Sequence, residues 1–178
     1  EQYNTTCPFV EKVWNRAQAI AKNNYTVIVH GKPQHEETRA TFSHSAVNST
    51  TVVVKDMKEA IALSSYILGT ADPENFYNQF SGQYSDGFKV ETDLQRIGVV
   101  NQTTMLASDT QAIAEFLKAT MMKKYDLSES DIEERFADTR DTLCYATNDN
   151  QGAVYTLLDT PADLAIVVGG YNSSNTSH

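Results

Sequence analysis

The residues best equipped for chemistry fall into five short segments: Thr6-Cys7-Pro8, His35-Glu36-Glu37-Thr38, Gln102-Thr103-Thr104, Cys144 and Gly169–Asn175. His35 and Glu37 pair an imidazole with a carboxylate, and a carboxylate drawn out of water has its pKa raised until it can deliver a proton near neutral pH. The same run also suits a solvated helix start, where acidic side chains favour the positive end of the helix dipole; spacing leaves both readings open. Cys7 precedes a helix with Pro8 in its first turn, a setting that favours a thiolate and so a nucleophile or metal ligand. Cys144 lies shortly before another predicted helix, and either cysteine would equally serve as a small buried apolar residue. Gly169-Gly170-Tyr171-Asn172-Ser173-Ser174-Asn175 offers backbone N–H groups, hydroxyls and amides to an anion, or makes a simple turn. It lacks the Gly-Lys-Ser/Thr ending of a nucleotide P-loop. Thr103 and Thr104 read as helix-capping hydroxyls.

These segments must be positioned by the elements around them. Apolar residues at Val10, Val13, Trp14, Ala17, Ile20 and Ala21 predict a helix over residues 8–23. Thr26–Val29 and Thr51–Val54 are β-branched runs of buried-strand length. Asp56 caps a helix through Leu68, with Glu59 placed for a capping box and Met57, Ala60, Ile61 and Ser64 on one face. Residues 69–93 form a polar, aromatic excursion. Ile97–Val100 is a strand, followed by a helix around 109–124 with Ile113, Phe116, Leu117 and Thr120 inward. Residues 126–143 are charged and rich in turns. Thr147 is placed to cap a helix bearing Ala153, Val154, Leu157 and Leu158, and Leu164–Val168 has the strongest strand pattern of the chain. Strands alternating with helices predict an α/β fold with mostly parallel sheets. In such sheets ligands bind beyond the carboxyl ends of the strands, where the loops after Val29, Val100 and Val168 carry the polar segments. His30 has no partner visible in the sequence, and His44 is expected on the surface.

Composition narrows the function classes. The 178 residues carry 14 basic and 23 acidic side chains for a net charge of −9, which opposes binding to nucleic acid through phosphate neutralisation and binding to anionic membranes. No segment approaches the roughly 20 apolar residues of a membrane span, and the first residues have no signal-peptide pattern. Two cysteines so far apart make no local zinc motif and no disulfide scaffold, which favours a reducing compartment.

Taken together, Thr6-Cys7-Pro8, His30-Gly31-Lys32 with His35-Glu36-Glu37-Thr38, Asn101-Gln102-Thr103-Thr104-Met105-Leu106, Cys144-Tyr145-Ala146-Thr147 and Gly169-Gly170-Tyr171-Asn172-Ser173-Ser174-Asn175-Thr176-Ser177-His178 resemble the 4-hydroxy-3-methylbut-2-enyl diphosphate reductases of the non-mevalonate isoprenoid pathway, in their plant and cyanobacterial form. The resemblance spans essentially the whole chain. It implies an enzyme of three α/β lobes around a [4Fe–4S] cluster held by three cysteines, with Cys7 and Cys144 as two of them and the third upstream of residue 1. Residues 8–143 would be the second lobe and 144–178 the beginning of the third. It further implies Glu37 as proton source, Thr103 as the residue orienting the substrate hydroxyl, and His35, Ser173, Ser174 and Asn175 as diphosphate ligands. The implied partners are a small diphosphate substrate and an electron donor such as ferredoxin or flavodoxin, in the cytoplasm or a plastid stroma. Two other classes remain: an isolated diphosphate-binding or structural lobe without turnover, and a thiol redox function, which the absence of Cys-x-x-Cys disfavours.

Overall fold

The computed structural model describes residues 5–137, 142–170, 173 and 176. Helix α1 (Pro8–Lys22) starts with Cys7 at its N-cap and Pro8 in its first turn, and buries Val13, Ala17, Ile20 and Ala21. Strand β1 (Thr26–His30) follows, then α2 (Glu36–Ala46), β2 (Thr51–Val54), α3 (Met57–Ile67), short helices α4 (Pro73–Gln79) and α5 (Val90–Asp93), β3 (Ile97–Asn101), α6 (Ala107–Tyr125), the two-residue strand β4 (Phe136–Ala137) and α7 (Tyr145–Leu158). The strands form one sheet in the order β2-β1-β3-β4, parallel throughout. Every residue of the first three strands is buried, because a parallel strand is covered on both faces and tolerates only apolar or hydrogen-bonded side chains.

The pleat sorts these side chains into two cores. Val27, Val29, Val53 and Val100 face α1 through Val13, Ala17 and Ile20. Ile28, Val52, Val54, Ile97 and Val99 face α3 and α6 through Leu63, Ile67, Ile113, Leu117 and Met121. Gly98 lets α1 approach β3 closely: a Cβ there would lie 2.9 Å from both Ile20 and Ala137 side-chain carbons. On the α1 side, Trp14 Nε1 donates to Thr41 Oγ1 at 3.2 Å, and its ring stacks on His44 with centroids 4.8 Å apart. His44 is therefore half-buried between helices rather than a surface residue.

The excursion of residues 69–93 has a structural role that its polar, irregular sequence concealed. Tyr84 bridges Val52 in antiparallel sense, Val53 N–H donates to Gln83 O, and Ser85 N–H donates to Thr51 O. These bonds occupy the outer edge of β2, which would otherwise be an open template for pairing. Its rings cluster on the same side: Phe76 packs on Phe80 at 4.8 Å, Phe88 at 5.1 Å and Tyr66 at 5.3 Å.

Several expectations are corrected. Ile61 is 52% exposed; α3 instead turns Ala60, Leu63, Ser64, Tyr66 and Ile67 inward, because the helix meets the sheet one position round from the face expected. Phe116 is only half-buried, with Met121 taking its place in the core. The turn-rich segment 126–143 contains β4, which pairs with Ile97 and Gly98. Cys144, not Thr147, holds the N-cap of α7, while Thr147 is buried in its first turn. The predicted strand Leu164–Val168 is not a strand, and its apolar side chains are exposed, Val168 by 91%. Ladder bonds define a strand, and none of the described strands pairs with this run. For the same reason Val154, Leu157 and Leu158 of α7 stay exposed, since no apolar layer faces them among the described residues. No helix among the described residues is long and apolar enough to cross a membrane.

Phe76 is fully buried among the rings that seal the β2 edge. Phe76→Ala is expected to lower unfolding free energy by roughly 3–5 kcal/mol, read from urea titration; a loss below about 1 kcal/mol would show that the excursion is not integrated with the core.

Candidate active site at the strand switch

The chain leaves β1 toward β2 on one side and adds β3 and β4 on the other, so the strand order reverses between β1 and β3. The crevice beyond the carboxyl ends of two such strands is where open α/β sheets bind ligands. The loops bordering it here are residues 31–35, after β1, and 102–106, after β3.

The two loops are joined by polar bonds from end to end. Gln102 N–H continues the ladder to His30 O at 2.8 Å. The fully buried Gln102 side chain accepts from Lys32 N–H at 3.1 Å and from the Thr38 hydroxyl at 3.0 Å through Oε1, and donates to Thr104 Oγ1 at 2.7 Å through Nε2. Gly31 is required by this closeness, since a Cβ there would collide with Thr38 Oγ1 and lie 3.0 Å from Gln102 Cβ. Buried His30 meets Thr110 Oγ1 at 3.3 Å through Nδ1, so the partner that the sequence did not reveal comes from α6.

The His-Glu-Glu run resolves into three separate tasks. His35 is the N-cap of α2, its Nδ1 accepting from Glu37 N–H at 3.2 Å. This bond fixes the neutral ring as the Nε2–H tautomer and leaves Nε2 to donate elsewhere. Glu36 is exposed and pairs with Arg39 at 3.4 Å on the surface, where such a pair is worth little. Glu37 turns inward. Its Oε1 accepts from Thr103 N–H at 2.6 Å and its Oε2 from the Thr103 hydroxyl at 2.9 Å. The run thus combines a solvated helix start at Glu36 with an inward carboxyl at Glu37.

Burial pushes the Glu37 pKa above the usual carboxylate range, against the lowering pull of the two Thr103 bonds. Desolvation is the larger effect, because two hydrogen bonds do not replace the full hydration of an anion. The Thr103 hydroxyl can donate to the carboxylate or accept from the carboxylic acid, so it remains a partner in both protonation states.

Thr103 also connects this carboxyl to a cysteine. Its carbonyl accepts from Cys144 N–H at 3.2 Å, and Cys144 is the N-cap of α7 with a free, half-buried thiol. Cys7, the N-cap of α1, is free and exposed. The first turns of the two helices meet where the Phe9 and Tyr145 rings approach to 5.1 Å. Neither cysteine side chain makes a cap bond. Thr103 and Thr104 do not cap α6, whose N-cap is Leu106. Among the described residues Ser173 is bonded within its own turn, to Gly170 O and from Thr176 N–H, and no described contact joins it to Glu37. Ser174 and Asn175 lie outside the described residues.

Among the described residues no three His, Cys, Asp or Glu side chains gather to hold a metal ion by themselves. Two free thiols, each at the positive end of a helix, are donors of the type an iron–sulfur cluster takes.

A raised carboxyl pKa contributes stability while the group is protonated and loses it as pH rises through the folded value. Glu37→Gln removes that loss while keeping an acceptor for Thr103 N–H and a donor for its hydroxyl. The variant is expected to melt at or above the wild-type temperature near neutral pH, with the difference closing near pH ~4. A helix-dipole role would instead make it less stable by about 0.3–1 kcal/mol near neutral pH.

Comparison with known proteins agrees with the fold. The family model described as LytB protein matches residues 1–178. A 4-hydroxy-3-methylbut-2-enyl diphosphate reductase of Synechococcus is 45% identical over 175 residues, 98% of this chain and 42% of the relative. The enzyme of the same name from Prochlorococcus marinus is 46% identical over the same shares. The chain thus spans 42% of the length of the curated relatives it matches. The solved diphosphate reductase of Plasmodium falciparum superposes with a TM-score of 0.62 at 25% identity, over 97% of this chain and 42% of that one. A second reductase structure, at TM-score 0.53 and 21% identity, shares the fold. With its full length matched by one family model and its switch-point loops built as described, the chain belongs to the LytB family.

Proposed function

We propose that this chain supplies the proton-handling part of a 4-hydroxy-3-methylbut-2-enyl diphosphate reductase, which removes an allylic hydroxyl and releases isopentenyl and dimethylallyl diphosphates. The observation that carries this reading is the bidentate contact of Glu37 with Thr103 at the β1/β3 switch, on the residue whose carbonyl holds the Cys144 amide.

The reaction consumes two electrons and two protons and releases the hydroxyl as water. A [4Fe–4S] cluster, with Cys7 and Cys144 as two of its ligands, would supply the electrons and a Lewis-acidic iron when bound. Glu37 gives a proton at its carboxyl, where a pKa raised by burial keeps the acid form populated closer to neutral pH. Thr103 Oγ1, already bonded to Glu37 Oε2, orients the departing hydroxyl and passes the proton across. His35 Nε2–H, directed by the cap bond at Nδ1, donates to the diphosphate together with Ser173, Ser174 and Asn175. Local neutral donors hold the anion, so a net charge of −9 is no obstacle. We assign residues 8–143 to one lobe and the segment from 144 to the next. The electron donor is of the ferredoxin or flavodoxin kind, in a reducing compartment such as cytoplasm or plastid stroma.

The test uses the complete protein, loaded with iron and sulfide under anaerobic conditions. Glu37→Gln should keep the visible spectrum and substrate binding while turnover falls roughly 10²–10⁴-fold. Near-normal turnover would remove Glu37 as the acid, and absence of iron and sulfide from the wild-type protein would remove the reductase reading altogether.

A further inference from the structure

Helix α6 begins at Ala107 after an N-cap, Leu106, whose side chain has no oxygen to offer. Its first N–H therefore needs an acceptor from elsewhere. Gln151, on α7, supplies it: Oε1 accepts from Ala107 N–H at 3.1 Å, and Nε2 donates to Met105 O at 3.2 Å. One amide thus caps α6 from another helix and grips the loop that carries Thr103 on both sides of Leu106. Gln151 lies seven residues after Cys144, two helical turns along, with buried Thr147 between them on the same face. The Cys144 N–H bond to Thr103 O is the second fastening of α7 to that loop.

We propose that Gln151 is a positioning residue for the reductive site: it fixes α7 against the 103–107 loop, so that Thr103, with Glu37 bound to it, keeps one register relative to Cys144. The proposal rests on the function assigned above, but its structural half can be tested separately. Without Gln151 the loop loses two of its bonds and α6 its first-turn partner, while the cores of the sheet are untouched. Misplacement of a catalytic group on this scale acts on the chemical step more than on substrate binding.

Three readouts in the complete protein decide it. In cluster-free protein, Gln151→Ala should speed hydrogen exchange at the Ala107 amide about tenfold or more. It should also raise the iodoacetamide alkylation rate of Cys144 several-fold, with Cys7 unchanged. In cluster-loaded protein, kcat should fall roughly ten- to a hundredfold with KM within about twofold. Gln151→Met, of similar length without polar atoms, should reproduce all three effects and serves if the alanine variant folds poorly. Exchange and alkylation at wild-type rates, or a general rise in exchange with collapse of the melting temperature, would overturn the proposal. So would normal kcat in a protein whose Glu37→Gln variant is inactive. If Glu37→Gln is fully active, the functional reading fails, and exchange and alkylation still judge the clamp.

Discussion

Everything at the candidate site depends on a carboxyl that has been taken partly out of water and given back two hydrogen bonds by a single residue. Glu37 and Thr103 are 66 residues apart in sequence and are joined at both carboxyl oxygens. Such a group is held in one orientation, which a solvated glutamate is not. The incomplete compensation is what raises its pKa. Were the carboxyl fully hydrated, it would be an ordinary anion; were it buried without Thr103, the cost would be several kcal/mol more.

The parallel sheet makes that meeting possible. Register pairs His30 with Asn101 at the ends of β1 and β3, so the loops that follow leave the sheet side by side. Gln102, fully buried, closes the space between them with three side-chain bonds, and Gly31 provides the room. A buried amide with its donor and acceptor both engaged fixes loop geometry, because any alternative arrangement leaves a polar atom unpaired. The first turns of α1 and α7, each N-capped by a cysteine, meet through Phe9 and Tyr145.

What was legible in the sequence follows from the range of the interactions involved. Thr26–Val29, Thr51–Val54 and Ile97–Val100 were readable because a strand covered on both faces must be apolar at every position. Asp56 was readable as a cap because its bond to Glu59 N–H is local. Leu164–Val168 has the same composition as those strands and is not one, since strand formation is a property of neighbours as well as of the run itself. The excursion at 69–93 looked opaque because its bonds go to β2, far away in sequence. At the candidate site, His35, Glu37, Thr103 and Cys144 were singled out as candidates by motifs in register, whereas the contacts of Gln102 and Gln151 were invisible. Their amides act on backbone groups 44 to 70 residues distant, and only a weak signal, a glutamine in each of two otherwise informative segments, marks them.

The most direct test of this account is the protonation state of Glu37 itself. In protein labelled with carbon-13 at the glutamate side-chain carboxyls, with Glu37→Gln used to assign the resonance, titration reports the midpoint of this one group. A midpoint clearly above the ordinary glutamate value of about 4.3, shifted further when Thr103→Val removes the hydroxyl, is the predicted result. A midpoint at or below that value would contradict it, because the carboxyl would then be a well-solvated or over-stabilised anion unable to serve as the proton source.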